Sequence, residues 1–186
     1  MVLSILFVSG NEYKFHEVAS VLAPEIVVSL ADCDFFEDSE QSIEVIAKEK
    51  ARQAFEKFKC PLIVEDTGVF FEAFPNFPGA MAKRIYNAIG QEGLLKLVEG
   101  KSRRAFFETV LVFTDGKKTK VFSGKSFGSL LDKPAGPHER FKLGYERLIV
   151  PDGFSKPLSS FSMEEKNSIS HRAKAVNGFK KWFLDR

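Results

Sequence analysis

The stretch from Pro61 to Arg84 constrains the fold most. Pro61-Leu62-Ile63-Val64 is a short apolar run that reads as a buried strand. It leads into two carboxylates, Glu65 and Asp66, and then into Thr67-Gly68, a turn signal. A second apolar run, Val69-Phe70-Phe71, follows at once, ahead of Phe74, Pro75, Phe77 and Pro78-Gly79. Carboxylates at the end of a buried strand are unfavourable unless they hold a metal, pair with a cation or face a water-filled cleft. A glycine beside them lets the backbone turn tightly or approach a ligand. A charged turn between two core strands is the plainer alternative, and this segment alone leaves both open.

Upstream, the chain alternates. Val2 to Val8 reads as a buried strand, and Ser9-Gly10-Asn11 turns it into a helix from Glu12 to about Leu22, with Phe15, Val18, Ala19 and Leu22 at helical spacing. Pro24 stops that helix, and Ile26-Val27-Val28 is a second strand. An acidic connection from Ala31 to Gln41 precedes a helix from about Ser42 to Phe58. Beyond the phenylalanine-rich stretch, helical pieces run from about Ala80 to Ala88 and from Gln91 to Val98, broken at Gly90. The pattern then changes to a hairpin: Arg104 to Phe113, a Thr114-Asp115-Gly116 turn, and Thr119 to Ser123. Phe127 to Leu131 reads as a further strand, Asp132 to Phe141 as loop, and Leu148-Ile149-Val150 as a last short strand. Ser162-Met163-Glu164-Glu165 has the form of a capping box, opening a final helix that reaches about Leu184. Strands alternating with helices, followed by a hairpin region, predict an α/β fold with a mixed sheet. Ligands in such sheets bind where loops leave the carboxyl ends of strands, so Ser9–Asn11 and Glu65–Gly68 are expected to share one site.

Composition narrows the class. At 186 residues the chain can fill one domain, or one domain with a small second lobe. The formal charge of 27 − 25 = +2 argues against a nucleic-acid binder, and Lys101, Arg103 and Arg104 make only a short basic cluster. Two cysteines, Cys33 and Cys60, are too few for a disulfide framework and lack metal-ligand spacing, which predicts a reduced, cytoplasmic protein. No membrane partner is expected, because no run approaches spanning length and the opening apolar run is too short for a leader. Twenty phenylalanines against three tyrosines and one tryptophan imply a phenylalanine-built core, with some rings left to line a pocket or an interface.

Ser9-Gly10-Asn11-Glu12-Tyr13-Lys14 has the parts of an anion site: backbone N–H groups at a helix start, small polar side chains and a lysine on the first turn. An ordinary helix start with a surface lysine has the same composition. Together with Lys50 and with carboxylates near strand ends, however, it supplies what a magnesium-dependent phosphoanhydride hydrolase requires.

These residues make the chain resemble the inosine triphosphate pyrophosphatase family, the Ham1-like diphosphatases of non-standard purine nucleoside triphosphates. Ser9-x-Asn11-x-x-Lys14 is similar to the family's triphosphate loop, and Glu37 falls where it places a metal-binding glutamate. Lys50-Ala51 resembles its Lys-Ala, Glu65-Asp66-Thr67-Gly68 its acidic signature, and Phe77-Pro78-Gly79 its Phe-Pro-Gly. Glu165-Lys166-Asn167 and Ser170-His171-Arg172 match its base-recognition motifs. The resemblance spans nearly the whole chain in order. It implies a twisted mixed sheet flanked by helices in two lobes about a central cleft, one lobe from about 1–100 and 162–186 and a hairpin-rich one from about 101–161. It also implies hydrolysis between the α- and β-phosphates to monophosphate and pyrophosphate, magnesium as cofactor, and a homodimer. Ser9, Asn11 and Lys14 would hold the triphosphate with Lys50, beside Thr67 and Gly68. Glu37, Glu65 and Asp66 would be metal ligands, Asp66 also orienting or deprotonating the water. Lys166, Ser170, His171 and Arg172 would read a 6-oxo purine.

The chain departs from the family pattern in one place above all. Where the family carries Gly-Phe-Gly-Tyr/Trp-Asp-Pro, this chain has Lys142-Leu143-Gly144-Tyr145-Glu146-Arg147. The ring expected to stack on the base is replaced by Leu143 and the aspartate by Glu146, while Tyr145 remains as a substrate-binding candidate. Met81-Ala82-Lys83-Arg84 likewise keeps only the arginine of Tyr-Ser-Ala-Arg. Retained diphosphatase activity with altered base selectivity is therefore expected. The rival readings are a relative that binds nucleotide without turnover, and a diphosphatase for pyrimidine or modified nucleotides.

Overall fold

The computed structural model describes residues 3–135 and 144–186. Strands β1 (Leu3–Val8), β2 (Ile26–Ala31) and β3 (Leu62–Phe71) run parallel, joined by α1 (Glu12–Leu22) and α2 (Ile43–Phe58). The chain then passes β4 (Pro78–Gly79) and α3 (Ala82–Leu97) into an antiparallel half, β5 (Arg104–Thr114), β6 (Thr119–Leu130) and β7 (Ile149–Pro151). It closes with α4 (Met163–Ile169) and α5 (His171–Leu184). These strands form one mixed, seven-stranded sheet in the order β2-β1-β3-β5-β6-β7, with β4 beside β3. The expected α/β class is what forms.

Helix starts follow local chemistry. The Asn11 side chain caps α1 and Ser42 caps α2, while Lys59 ends α2 in the left-handed region at φ 53°. Ser162 and Glu165 form the reciprocal capping box at α4. Gly90 interrupts α3 at φ 63°, the break read from the sequence. On one face of the sheet, α1 and α5 bury Val18, Leu22, Val176 and Phe179 against Phe7 and Phe113. On the other, α2 buries Ile43, Ala47 and Ala51 against Val64, Val110 and Val112. A third cluster lies beneath α3, around Phe71, Phe107 and Tyr145. Full burial of each such leucine or phenylalanine stabilises by roughly 2–3 kcal/mol, so the core needs no disulfide.

Three expectations are corrected. Thr67-Gly68 is not a turn: β3 runs straight through it, paired residue for residue with β5 from Leu62 opposite Thr114 to Phe71 opposite Ala105. Gly68 serves close approach instead, since a Cβ there would lie 2.8 Å from the Phe70 ring and 3.2 Å from the Gly79 backbone. Thr119–Ser123 and Phe127–Leu131 are not two strands but one, β6, which continues through Gly124. The last helix breaks at Ser170, whose extended backbone (φ −72°, ψ 152°) ends α4 and caps α5. Val2 and most of the predicted loop up to Phe141 lie outside the described residues, as do Lys142 and Leu143.

Candidate active site

β1 pairs with β3 only at Leu62 and Ile63, and β4 pairs with β3 only at Val69 and Phe70. Between them the edge of β3 from Val64 to Gly68 faces a notch at the end of β1, the kind of switch point where α/β sheets bind ligands. Alternation along a strand sends neighbouring side chains to opposite faces, so Glu65 and Asp66 part company here.

Glu65 points toward α1 and α5. Lys14 Nζ lies 2.5 Å from its Oε1 and Arg172 Nε donates to its Oε2 at 2.7 Å. Burial works to raise this carboxyl, yet the Arg172 and Lys14 charges outweigh it and hold Glu65 far below the ordinary range. Arg172 also pairs with Glu17, Glu17 with Lys166, and Lys166 with Glu146 at 2.6 Å. The result is a chain of alternating charge, Lys14–Glu65–Arg172–Glu17–Lys166–Glu146. Buried charges persist when paired in this way.

Asp66 points the other way, toward α2, where Lys50 Nζ sits 3.6 Å from its Oδ1 and 2.7 Å from Glu37 Oε1. The same ammonium donates to the Glu65 carbonyl oxygen at 3.2 Å, tying the two faces together at the notch. Burial pushes the Asp66 carboxyl up to about 6, against the pull of Lys50 and Lys14. A carboxyl poised there suits a group that must hold or accept a proton near neutrality. Burial disfavours the charge on Lys50, but Asp66 and Glu37 outweigh it and hold the ammonium above its ordinary value.

Glu65 is thereby corrected as a metal ligand. Its side chain lies on the opposite face from Asp66 and Glu37 and is engaged by two cations. Among the described residues, no cluster of three or more histidine, cysteine or acidic side chains is arranged to hold a metal. Glu37 and Asp66 do share one cation, the Lys50 ammonium, so the pair is spaced for a positive charge. Magnesium takes one or two carboxylates and completes its shell with phosphate and water, which this pair fits.

The helix-start anion site is also changed in detail. Asn11 Oδ1 accepts from the N–H groups of Tyr13 (3.0 Å) and Lys14 (3.4 Å), so the cap already occupies two donors expected to meet phosphate. Ser9 Oγ accepts from Asn11 N at 3.2 Å, which orders the loop. The charged group at this helix start is the Lys14 ammonium, which is paired with Glu65.

Among the expected base readers, His171 and Arg172 stand at the first turn of α5. His171 stacks on Phe107 (ring centroids 5.0 Å apart, 14° between planes), and its Nδ1 lies 2.7 Å from Thr109 Oγ1. Burial, then the Arg172 and Lys166 charges, lower its pKa well below the ordinary value and keep it neutral. Ser170 is fully buried and caps α5 by accepting from Ala173 N, so its oxygen is committed to the helix. Thr67 Oγ1 accepts from Arg172 and lies 2.6 Å from Thr109 Oγ1. Tyr145 is corrected: only 1% exposed, it donates its hydroxyl proton to the Ala82 carbonyl and packs edge-on against Phe71, so it belongs to the core beneath α3. One Glu146 oxygen holds Lys166 while Oε2 is buried without a partner among the described residues, and burial raises this carboxyl despite Lys166. Leu143, the other altered position, falls outside the described residues.

Glu17 and Thr109 were not expected. A signal existed for Glu17: it lies three residues beyond Lys14 and beside Val18, on the edge of the apolar face of α1. Thr109 carried none, since a threonine in an apolar strand reads as an ordinary sheet residue.

Comparison with known proteins accords with this arrangement. The model of the Ham1 family matches residues 5–182. The dITP/XTP pyrophosphatase of Methanopyrus kandleri is 38% identical over 97% of this chain and 96% of that protein. The dITP/XTP pyrophosphatase of Pyrobaculum aerophilum is 34% identical over 99% of this chain and 98% of that protein. The solved structure of a HAM1 protein from Coxiella burnetii superimposes with a TM-score of 0.83 at 22% identity, covering 99% of this chain and all of that one (100%). The Staphylococcus aureus Ham1 protein does so with 0.80 at 24% identity, over 97% and 98%. Family model, full-length relatives and shared fold agree, and the chain belongs to the Ham1 family.

Proposed function

We propose that this chain hydrolyses non-standard purine nucleoside triphosphates, of the kind named for its dITP/XTP pyrophosphatase relatives, to nucleoside monophosphate and pyrophosphate. The observation that carries this reading is the convergence of Lys14 and Lys50 on Glu65 and Asp66 from opposite faces of one strand edge. The Lys14 and Lys50 ammonium groups stand at the notch where a triphosphate would enter, and phosphate oxygens would compete there with their present carboxylate partners. Water oxygen bonds to the α-phosphorus, the bond from that phosphorus to the α–β bridging oxygen breaks, and pyrophosphate departs. Asp66 would orient that water and take its proton, a reading supported by its buried place beside Lys50 at the notch and by its raised carboxyl. Magnesium would be held by Glu37 and Asp66, where it would neutralise phosphate charge. His171 and Arg172 face the base, offering donors suited to a 6-oxo purine and ill suited to the amino group of adenine. With leucine at position 143 and Glu146 holding Lys166, base selectivity in this chain differs from that of relatives with an aromatic ring and aspartate at those two positions.

The partner proposed for the assembled protein is a second copy. Beyond the start of α2, the sheet face carries a row of Phe70, Phe106 and Phe127, the first pair stacked (4.8 Å between centroids) and the second tilted (5.3 Å), and Phe127 is 45% exposed. Lys125–Glu108 and Arg104–Asp152 place both signs of charge on that face, so two copies can meet about a two-fold axis without net repulsion. A cavity of about 620 Å³ adjoins this surface, bordered by Phe70, Met81 and Val121 on one side and by Glu40, Glu44 and Glu108 on another.

The deciding experiment is product analysis with magnesium over inosine, xanthosine, common purine and pyrimidine triphosphates. Monophosphate plus pyrophosphate, chiefly from inosine or xanthosine and reduced on the order of a thousandfold in Asp66→Asn, is the expected result. Tight binding with no pyrophosphate released from any triphosphate would overturn it.

A further inference from the structure

We propose that Thr109 is a positioning residue that holds His171 in the Nε2–H tautomer, so that the imidazole offers the base pocket a hydrogen-bond donor and not an acceptor. The inference rests on the base site proposed above, but its physical content is a property of the free protein.

The argument follows the protons. Arg172 can only donate, and its Nη2 reaches Thr67 Oγ1 at 3.4 Å, so that oxygen accepts. The hydroxyl proton of Thr67 is then directed to Thr109 Oγ1, 2.6 Å away. Thr109 has one proton in turn, and it goes to His171 Nδ1 at 2.7 Å. Nδ1 is therefore a lone pair. A neutral imidazole with an accepting Nδ1 carries its proton on Nε2. Reversing the relay would have Nδ1–H donate to Thr109 and Thr109 donate to Thr67, whose oxygen would then accept twice while its own proton met no acceptor among the described residues. A hydroxyl proton left without an acceptor in a part-buried site is the unfavourable arrangement.

The surroundings make the relay rigid. Thr109 is fully buried on β5, directly opposite Thr67 on β3, and meets the site through those two hydrogen bonds to Thr67 and His171. Phe107, two residues away on the same face of β5, fixes the imidazole plane by stacking. Gly124 lets the start of α5 descend onto the sheet, since a Cβ there would lie 2.1 Å from the His171 carbonyl oxygen. One strand pair thus sets the seat, the plane and the tautomer of a residue on a helix. The Nε2 atom has no hydrogen bond to another described residue, which leaves its proton for a ligand. An oxygen or a ring-nitrogen lone pair on a purine is the acceptor such a donor fits; an exocyclic amino group is not.

Side-chain ¹⁵N–¹H correlation spectra of the free, full-length protein read the tautomer directly. The chain has three histidines, so His171 is assigned by its loss in His171→Gln. Wild type is expected to show Nε2–H. Thr109→Val, which keeps the shape and removes the hydroxyl, is expected to show a mixed tautomer and a discrimination between inosine and adenosine triphosphates reduced roughly tenfold. Thr109→Ser is expected to restore both. Should Thr109→Val fail to fold, Thr67→Val breaks the relay one step earlier and the tautomer is read there. A wild-type spectrum showing Nδ1–H overturns the proposal, as does a folded Thr109→Val with unchanged tautomer and discrimination. If no triphosphate is turned over, the proposed function fails while the spectra still decide the tautomer.

Discussion

Arg172 stands at the middle of the buried charge chain. It bridges Glu65 and Glu17, and through them connects Lys14 at one end of the charge chain with Lys166 and Glu146 at the other. Removing one member of a buried set strands the others without partners. Arg172→Ala is accordingly expected to destabilise the fold by about 3–5 kcal/mol in urea titrations. Arg52 is the control: its pairs with Glu49 and Glu56 lie on the exposed face of α2, and Arg52→Ala should leave the urea midpoint unchanged. His171 adds a pH dependence. Its folded pKa lies well below the 6.5 of the free side chain, so on acidification the unfolded chain takes up a proton that the fold refuses. Stability contributed by the neutral ring is complete above about pH 6.5 and declines as the pH falls below it. Asp66, whose folded carboxyl is raised to about 6, works the opposite way on acidification, so the effect is read as a difference: the unfolding free energy of wild type should fall relative to that of His171→Gln as the pH drops below about 6.5. A steeper decline in the variant would contradict it.

The joint between α4 and α5 gives the site its second wall. An unbroken helix from Ser162 would carry His171 and Arg172 mid-helix. The extended residue at Ser170 instead starts a new helix with those two side chains in its first turn, above the notch. Ser170→Ala removes the cap and should lower stability by about 1 kcal/mol, read from the thermal midpoint. Gly124→Ala should do more. Its Cβ would meet the His171 carbonyl oxygen at 2.1 Å and Ala175 N at 2.8 Å, both backbone atoms that cannot swing aside. A loss of about 2–3 kcal/mol is expected, with amide shifts concentrated at the start of α5. The strand-alternation rule explains the element-level surprise at Glu65 and Asp66. Adjacent carboxylates read as one acidic pair in a turn, but inside a strand they serve two faces.

Taken whole, the molecule is one sheet with helices on both faces and an aromatic strip left partly open beyond the start of α2. If that strip joins two copies, Phe127→Glu should convert dimer to monomer in light scattering with little change in thermal midpoint. A wild-type monomer at all concentrations would rule out the interface. Much of this molecule was legible in local chemistry: the helices and where they start near Asn11 and Ser42, the capping box at Ser162, the break at Gly90, the mixed sheet, and the order of motifs that placed the chain beside its relatives. Those features depend on side-chain spacing and on residues a few positions apart, which a sequence displays directly. What only the tertiary structure decided depends on atoms far apart in the chain. Gly68 and Gly124 are glycines because β4 and α5 come close, not because the chain turns. Tyr145 is a core residue because the Ala82 carbonyl and the rings beneath α3 receive it. Glu17 and Thr109 belong to the site because they meet partners as distant as Arg172 and His171, 155 and 62 residues along the chain. A residue type and its near neighbours record what a segment can form; which charge and which proton it finally faces is set by packing.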